Sequence, residues 1–362
     1  MPRDNSVDAL RGLAIALVVL GHAILDSAAV LHGGPGMIDM GPFWIPLATA
    51  WSLPLNVLYS FHMPLFAFVS GLVMWPPRGR SLAEGIASRA RSLLVPYFAW
   101  FVILYATNWS PHPSGGFGPA LLDALLGRDG LWFLYALFVS TAVVLCLERV
   151  ARPRWVLSLA ALVAIACSSG FAFAVPNVLY LSDVLWIFPF VVLGYLMGPF
   201  KSHVIEHGRL VAASGFVVFM PLFAMRYPVE VASLQPINRL TALLGRSAPG
   251  GTTPGLTVSS LSVLLPYACG CAAVVALYGL YLGRTGTAID IQAWLGRKSL
   301  GIYAMHGPVV WWLASHGVRD VAVLTSVSLG LCVLATALLE RIPLLQAVLL
   351  GQRRRRSSEV SG

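Results

Sequence analysis

Long apolar runs recur along the whole chain and are separated by short polar segments. A helix needs about 20 apolar residues to cross the hydrocarbon core of a bilayer, because each residue advances it by about 1.5 Å. Such runs lie at 11–31, 51–75, 93–107, 131–147, 155–175, 184–199, 210–225, 259–282, 299–315 and 321–339. The pattern predicts about ten membrane-spanning helices. Nine or eleven remain open, since the run at 93–107 is short and the run at 210–225 ends near Pro221.

The composition agrees with a membrane bundle. Hydrophobic residues make up 57% of the 362 residues and charged residues 11%, against about 25% charged residues in a soluble domain. The mean hydropathy is +0.78. We therefore predict an all-α, polytopic membrane helix bundle over residues 1–342, followed by a basic cytoplasmic tail over residues 343–362.

The basic residues are distributed unequally over the two sides of this bundle. If the N-terminus is cytoplasmic, the inner side carries all but five of the 24 Lys and Arg residues. This bias predicts a protein of the cytoplasmic membrane with both termini in the cytoplasm. The net charge of +9 then reflects topology, so no nucleic-acid partner is expected. The run Arg353–Arg356 is interpreted as an anchor on anionic lipid.

A cleavable signal peptide is the competing interpretation of the N-terminal segment, because small residues follow its apolar run at Ser27-Ala28-Ala29. The segment before that run carries Asp4 and Asp8, and the run is close to full spanning length. We therefore favour a retained first helix.

Arg11 and His22 lie eleven positions apart on this first helix. At roughly 100° per residue the two side chains share one face, with His22 about 16 Å above Arg11. Arg11 is then at the membrane surface and His22 at mid-depth. An ionisable residue at mid-depth is costly unless it faces a cavity or a partner, so His22 is a candidate functional residue.

The second and ninth spans each carry a further histidine at comparable depth. His62 lies thirteen residues from the inner boundary near Trp75, and His306 lies eight residues beyond Lys298. Pro64 lacks a backbone donor and is expected to kink the second helix, which frees a carbonyl. For His62, a hydrogen bond to that carbonyl and a role in chemistry are both open.

Other chemistries leave no signal in the sequence. The five cysteines all lie in apolar runs, where packing explains them, and their spacing predicts neither a disulfide framework nor a metal site. A phosphate-binding glycine loop, a His-Glu-x-x-His helix and a Gly-x-Ser-x-Gly elbow are all absent from the sequence.

Four motifs together resemble the integral-membrane acyltransferase-3 family, which moves acetyl or other short acyl groups onto carbohydrates. They are Asp8-Ala9-Leu10-Arg11-Gly12 with His22, Phe66-Ala67-Phe68-Val69-Ser70-Gly71, Arg89-Ala90-Arg91 before Pro96-Tyr97, and Gly296-Arg297-Lys298-Ser299 through Tyr303 to His306. The segments Phe61-His62-Met63-Pro64 and Trp132-Phe133-Leu134-Tyr135 look like its fucose 4-O-acetylase-like branch.

The resemblance implies a cytosolic acyl-CoA co-substrate, in the simplest case acetyl-CoA, and no metal. It implies a carbohydrate or lipid-linked glycan as acceptor. Guanidinium groups bind phosphate through planar, bidentate contacts, so arginines at the inner surface suit the donor. The residues assigned to the donor in this way are Arg11, Arg89, Arg91, Ser70 and Lys298.

The resemblance also implies a catalytic set. His22 is the expected base, because an imidazole changes its charge near neutral pH and can take a proton from an attacking hydroxyl. The catalytic residues are then expected to be His22, Arg11, Asp26, His62 and His306, and the acceptor-binding residues Trp132, Tyr135 and Tyr303.

Ordinary structural roles are the alternative for several of these assigned residues. Asp26 either orients His22 or is solvated at the outer surface. Ser70 either acts as a nucleophile or allows close helix packing. Trp132 either stacks on substrate or belongs to an interfacial aromatic belt. At the level of the whole protein, the alternative is a proton-coupled transporter or flippase that uses the intramembrane histidines. A structural membrane protein is the third choice.

Overall fold

The computed structural model describes residues 5–31, 52–75, 79, 81–109, 116–126, 131–150, 154–174, 178–226 and 257–352. All regular structure in these ranges is helical, which confirms the predicted all-α class. The helices are α1 (Asn5–Leu31), α2 (Ser52–Tyr59), α3 (His62–Leu72), α4 (Leu82–Ala106), α5 (Phe117–Leu125), α6 (Trp132–Val150), α7 (Trp155–Ala174), α8 (Leu181–Met197), α9 (Lys201–Glu206), α10 (Gly208–Arg226), α11 (Thr257–Tyr281), α12 (Thr287–Arg297), α13 (Ser299–Ser315), α14 (Val321–Leu339) and α15 (Pro343–Leu349).

Each of the ten predicted apolar runs overlaps a helix in the described part of the chain. In that part, eight segments are long and apolar enough to cross a membrane, with α2 and α3 forming one of them. The apolar part of α7 is a shorter apolar helix, and the run predicted at 299–315 forms the 17-residue helix α13, which is not among these segments. The chain is therefore an integral membrane protein built as a polytopic helix bundle.

The span predicted at 93–107 begins earlier than its apolar run. Helix α4 starts at Leu82, where the Ser81 hydroxyl accepts a hydrogen bond from the Glu84 amide at 3.2 Å and the Glu84 carboxylate accepts one from the Ser81 amide at 2.9 Å. This reciprocal cap starts the helix in a polar segment that carries Arg89 and Arg91. Hydropathy alone misses that polar first third.

Close backbone contacts at glycines fix how the helices cross. A Cβ atom at Gly12 on α1 would overlap the carbonyl oxygen of Gln292 on α12, and one at Gly296 would overlap that of Asp8. Gly71 on α3 and Gly194 on α8 form a second crossing of the same kind. Without a large hydrophobic driving force in lipid, such close packing of small residues holds helices together.

The second span is interrupted just before His62, and Pro64 lies in the first turn of the new helix. Helix α2 ends at Tyr59, Ser60 and Phe61 form a turn, and α3 begins at His62. A proline in a first turn removes no intrahelical hydrogen bond, so it is tolerated there. We expected a kink at Pro64; the structure instead has a break in the helix that begins four residues earlier, at Ser60.

The last described helix packs back onto the bundle. The Trp100 indole on α4 donates a hydrogen bond to the Leu349 carbonyl at 2.9 Å, and Leu349 and Leu350 are buried. The predicted domain boundary at 342 falls on the residue that caps α15. The run Arg353–Arg356 lies outside the described residues.

One end of the bundle gathers basic side chains, and we refer to it as the basic end. It is defined by Arg11, Arg89, Arg149, Arg154 and Lys298, each close to the start or end of its helix. Two contacts join helix ends in this region. The side-chain amide of Asn5 on α1 donates to the Asp290 carboxylate on α12 at 2.9 Å, and Lys298, between α12 and α13, pairs with Glu340 at the end of α14.

Candidate functional site

Two histidines from distant parts of the sequence meet inside the bundle. The rings of His22 on α1 and His306 on α13 lie 4.7 Å apart between centroids, at an interplanar angle of 73°. His306 is buried, whereas His22 keeps partial accessibility. Ile15 and Val18, on the same face of α1, are buried. His22 therefore lies on the buried face of α1, against α13.

Hydrogen bonding fixes the tautomer of His306. Its Nδ1 lies 2.6 Å from the carbonyl oxygen of Tyr303, and because a carbonyl only accepts, Nδ1 carries the proton. The lone pair is then on Nε2. This buried nitrogen has no hydrogen-bond partner in the part of the chain that the structure describes. An unsatisfied buried polar atom costs about 1–3 kcal/mol, which is the kind of cost that a bound substrate relieves.

His62 completes the group. Its Nδ1 donates to the Leu58 carbonyl at 2.8 Å, a different carbonyl from the one that Pro64 leaves free four residues before it, at Ser60. That bond holds the ring at the break between α2 and α3, and again leaves the lone pair on Nε2. His62 lies within electrostatic range of both His22 and His306. The structure thus brings the three predicted histidines together from α1, α3 and α13.

Asp26 is associated with Tyr59. Asp26 and His22 are one turn apart on α1, yet no hydrogen bond joins them among the described residues. Asp26 interacts electrostatically with Tyr59, whose ring packs against Gly21 and lies 4.7 Å from the His62 ring. Tyr59 therefore lies between Asp26 and the histidine group, and the carboxylate has no direct hydrogen bond to His22 among the described residues.

Aromatic rings form a wall beside the histidines. The Tyr303 ring lies 5.7 Å from His306 and 5.9 Å from Phe133, and Phe133 lies 5.8 Å from Phe66. The Phe133 amide also donates to the Tyr303 hydroxyl at 3.4 Å. Sequence reasoning missed Phe133, because an apolar ring inside an apolar run gives no signal of its own.

The other two predicted acceptor residues lie further along this wall or away from it. Trp132 packs against Phe133 with ring centroids 5.6 Å apart. Tyr135 instead joins Tyr97 and Tyr180, each at 5.8 Å. Of the two, only Trp132 touches the aromatic wall beside the histidines.

A pocket of about 510 Å³ lies at the basic end, between the ends of α3, α4, α6 and α8. Its lining consists of Val73, Met74, Gly79, Ser81, Leu82, Gly85, Ser88, Arg89, Ser92, Leu145, Glu148, Arg149 and Tyr195. Arg89 was expected at the donor site, and Arg149 was not. The basic ending of α6 was visible in the sequence, but only folding brings it opposite α4.

The remaining residues assigned to the donor are not in the lining of this pocket. Arg91 is exposed on α4, and Arg11 pairs with Asp8 at 3.6 Å. Lys298 is buried, paired with Glu340 and placed over the Trp294 ring. The Ser70 hydroxyl donates to the Phe66 carbonyl at 2.9 Å within its own helix. Lys298 is therefore engaged in a contact between helices, and Ser70 in a hydrogen bond within its own helix.

Comparison with known proteins identifies the chain as a whole. Residues 4–340 match the acyltransferase-3 family model, which is described as an acyltransferase domain. The chain belongs to this family. The predicted resemblance is thereby confirmed, and the histidine group and the basic pocket both lie within the matched residues.

Two curated relatives are similar to about half of this chain. The chain is 28% identical over 199 residues to nodulation protein NolL of Mesorhizobium japonicum and 29% identical over 201 residues to that of Sinorhizobium fredii. Each match covers 54% of this chain and 48% of the relative. The chain thus spans about half the length of these curated relatives. No solved structure gives a significant match.

Proposed function

We propose that this protein is a membrane O-acyltransferase that moves an acetyl or other short acyl group from acyl-CoA to a hydroxyl of a carbohydrate. The observation that carries the proposal is the contact between His22 and His306, where a partly accessible imidazole lies beside a buried one whose Nε2 has an unused lone pair. Membership of the acyltransferase-3 family supplies the reaction class.

In the proposed reaction His22 removes the proton of the acceptor hydroxyl. The oxygen attacks the thioester carbonyl, a C–O bond forms, the C–S bond breaks, and the proton passes to the leaving sulfur of CoA. General-base catalysis of this kind contributes about 10²–10⁴-fold to a rate. His306 presents a second lone pair 4.7 Å away between ring centroids, so the proton has a nearby acceptor before the sulfur takes it.

The pocket at the basic end suits the phosphorylated head of the donor. Arg89 and Arg149 approach it from two different helices, and Ser81, Ser88 and Ser92 add hydroxyls. Arginine binds phosphate through paired, charge-assisted hydrogen bonds. Val73 in the lining and His62 are eleven residues apart on and just beyond α3, or about 17 Å along a helix. The extended arm of the donor would cover that distance.

The proposed orientation follows from the charge bias. With the basic end in the cytoplasm, acyl-CoA reaches the pocket from the cytosol and both termini are cytoplasmic. The acceptor then approaches from the other end, where His22 and Asp26 are both partly accessible. A carbohydrate or a lipid-linked glycan is the acceptor class that the family resemblance implies.

The test uses purified protein, radiolabelled acetyl-CoA and a cell-envelope extract. We expect His22→Ala to abolish transfer of label to extract carbohydrate, and Arg89→Ala to weaken donor binding because Arg89 lines the pocket. His316→Ala is the matched control, because His316 is exposed and contacts only its own segment through Ser315 and Trp312. Undiminished transfer by His22→Ala would overturn the mechanism. Movement of a solute across vesicles without CoA would favour the transporter.

A further inference from the structure

A second histidine group lies outside the proposed active site, at the turn between α8 and α10. His203 and Glu206 are on α9, and His207 follows directly after it. One ligand atom from each of the three side chains lies within 4.8 Å of those of the other two, and all three side chains are exposed. Nothing in the proposed acyl transfer uses them.

The spacing of these residues suits a single ion. Positions i, i+3 and i+4 fall on one side of a helix, and the His203 and His207 rings lie 4.3 Å apart with an interplanar angle of 31°. The Glu206 carboxylate comes within 4.0 Å of the His207 Nδ1. Lys201 is two positions before His203, so its Cα lies about 160° around the helix from that of His203.

The backbone orients one of the imidazoles for this purpose. Both the amide and the Nδ1 of His207 donate to the His203 carbonyl, at 2.9 and 3.2 Å. The His207 Nδ1 therefore carries a proton and Nε2 keeps its lone pair. Histidines that bind metals usually donate their other N–H to a carbonyl or carboxylate in this way, which fixes the ring and the tautomer.

We infer that His203, Glu206 and His207 form a surface binding site for a divalent transition-metal ion, with Zn²⁺ as the fitting case. Two imidazoles and a carboxylate are a common ligand set for Zn²⁺, and water completes the coordination where a site is open. No metal was predicted from the sequence, because the cysteine spacing and the absence of a His-Glu-x-x-His helix both argue against one. The order here is His203-x-x-Glu206-His207.

Such an ion would hold the connection between α8 and α10 in one conformation. Gly198, at the end of α8, packs against the Trp75 side chain, and Gly283 packs against Ile205 on α9. The site therefore lies on a segment that packs against residues just beyond α3 and just beyond α11. Binding at this position joins residues of α9 to its C-terminal turn and is expected to stabilise that segment.

The test is titration of the full chain, in detergent and without an oligohistidine tag, with Zn²⁺ by calorimetry. We expect one ion per chain, and at least a tenfold loss of affinity in the double variant His203→Ala/His207→Ala and in Glu206→Gln. His316→Ala, which removes an exposed histidine elsewhere, should bind as the wild type does. Replacing Zn²⁺ by Cu²⁺ allows electron paramagnetic resonance to detect two imidazole nitrogens on the ion.

Three results would overturn the inference. They are the absence of Zn²⁺ binding, equal binding by the wild type and the double variant, and a Cu²⁺ spectrum with no nitrogen from imidazole. Proper folding of the double variant is checked by its elution as a single species and by its circular dichroism. The outcome is independent of acyl transfer, because binding is measured without a donor or an acceptor.

Discussion

The imidazole of His306 lies edge to face against that of His22, with 4.7 Å between ring centroids. The two residues come from α1 and from α13, the helix of the ninth predicted run. Their contact depends on the crossing of α1 with α12 at Gly12 and Gly296, because α13 follows α12 directly. The glycines of two sequence motifs therefore place the histidines of the same two motifs side by side.

Replacing His306 tests whether its free nitrogen takes part in transfer. We expect His306→Phe, which keeps a ring and removes the lone pair, to lower kcat by about 10²-fold or more, because a base or proton acceptor is lost. The measurement is transfer of labelled acetyl under saturating donor. Trp312→Phe, a ring change on the exposed part of the same helix, is the control. If His306→Phe kept the wild-type kcat, the His306 ring would serve only in packing and its lone pair would have no role in transfer.

Arg149 tests whether the donor is bound by the residues that line the pocket or by those of the basic sequence motif. It lines the pocket, whereas Arg91 belongs to the basic motif but is exposed and outside the lining. We expect Arg149→Gln to raise KM for acyl-CoA about tenfold or more with a smaller change in kcat, since a hydrogen bond to a charged group contributes about 1.5–3 kcal/mol. Arg91→Gln is the matched control and should stay near wild type.

The opposite ranking of these two arginines would show that the donor binds elsewhere. Titration of the pocket with adenosine 3′,5′-bisphosphate gives an independent reading, because that probe carries the head without the thioester. Arg149→Gln should weaken its binding as well.

The helices were predictable from sequence because hydropathy follows burial in lipid, and each predicted run overlaps a described helix. Helix α12 was not, since it is short and Asp290, Gln292 and Arg297 interrupt its apolar residues. The cap at Ser81 and the break at Ser60 were missed for a related reason. Both depend on local hydrogen bonds that a hydropathy average does not detect.

The site was predictable only as far as single side chains stand out from their surroundings. A histidine in an apolar run is conspicuous, so His22, His62 and His306 were found. Phe133 and Arg149 were not, because their importance comes from what folding places opposite them. Lys298 was assigned to the donor from its place in a family motif; its partner Glu340 is 42 positions away in the sequence, so the ion pair was not visible there.

The pair formed by Lys298 and Glu340 can be tested as a structural contact. The Lys298 side chain is 8% exposed and that of Glu340 28%, so removal of one partner leaves a charge in a poorly solvated position. We expect Lys298→Met to lower stability by about 1–3 kcal/mol and to leave KM for acyl-CoA unchanged in the folded fraction. The measurement is thermal unfolding in detergent beside donor titration.

The double variant Lys298→Met/Glu340→Leu provides the control for that pair. Because it removes both charges together, it should recover much of the lost stability. A rise in KM with unchanged unfolding temperature in Lys298→Met would instead return Lys298 to the donor site.

The crossing at Gly12 should be the least tolerant position on α1. A side chain at Gly12 would overlap the Gln292 carbonyl, which is backbone and cannot rotate away. We expect Gly12→Val to separate α1 from α12 and to lower stability by about 1–3 kcal/mol or more, together with loss of acyl transfer as His22 moves from His306. Gly330→Val on α14 is the matched control, since a Cβ there meets no atom within 4 Å among the described residues. Thermal unfolding of both variants in the same detergent makes the comparison, and equal midpoints for the two would mean that the close approach of α1 to α12 does not hold the histidines together.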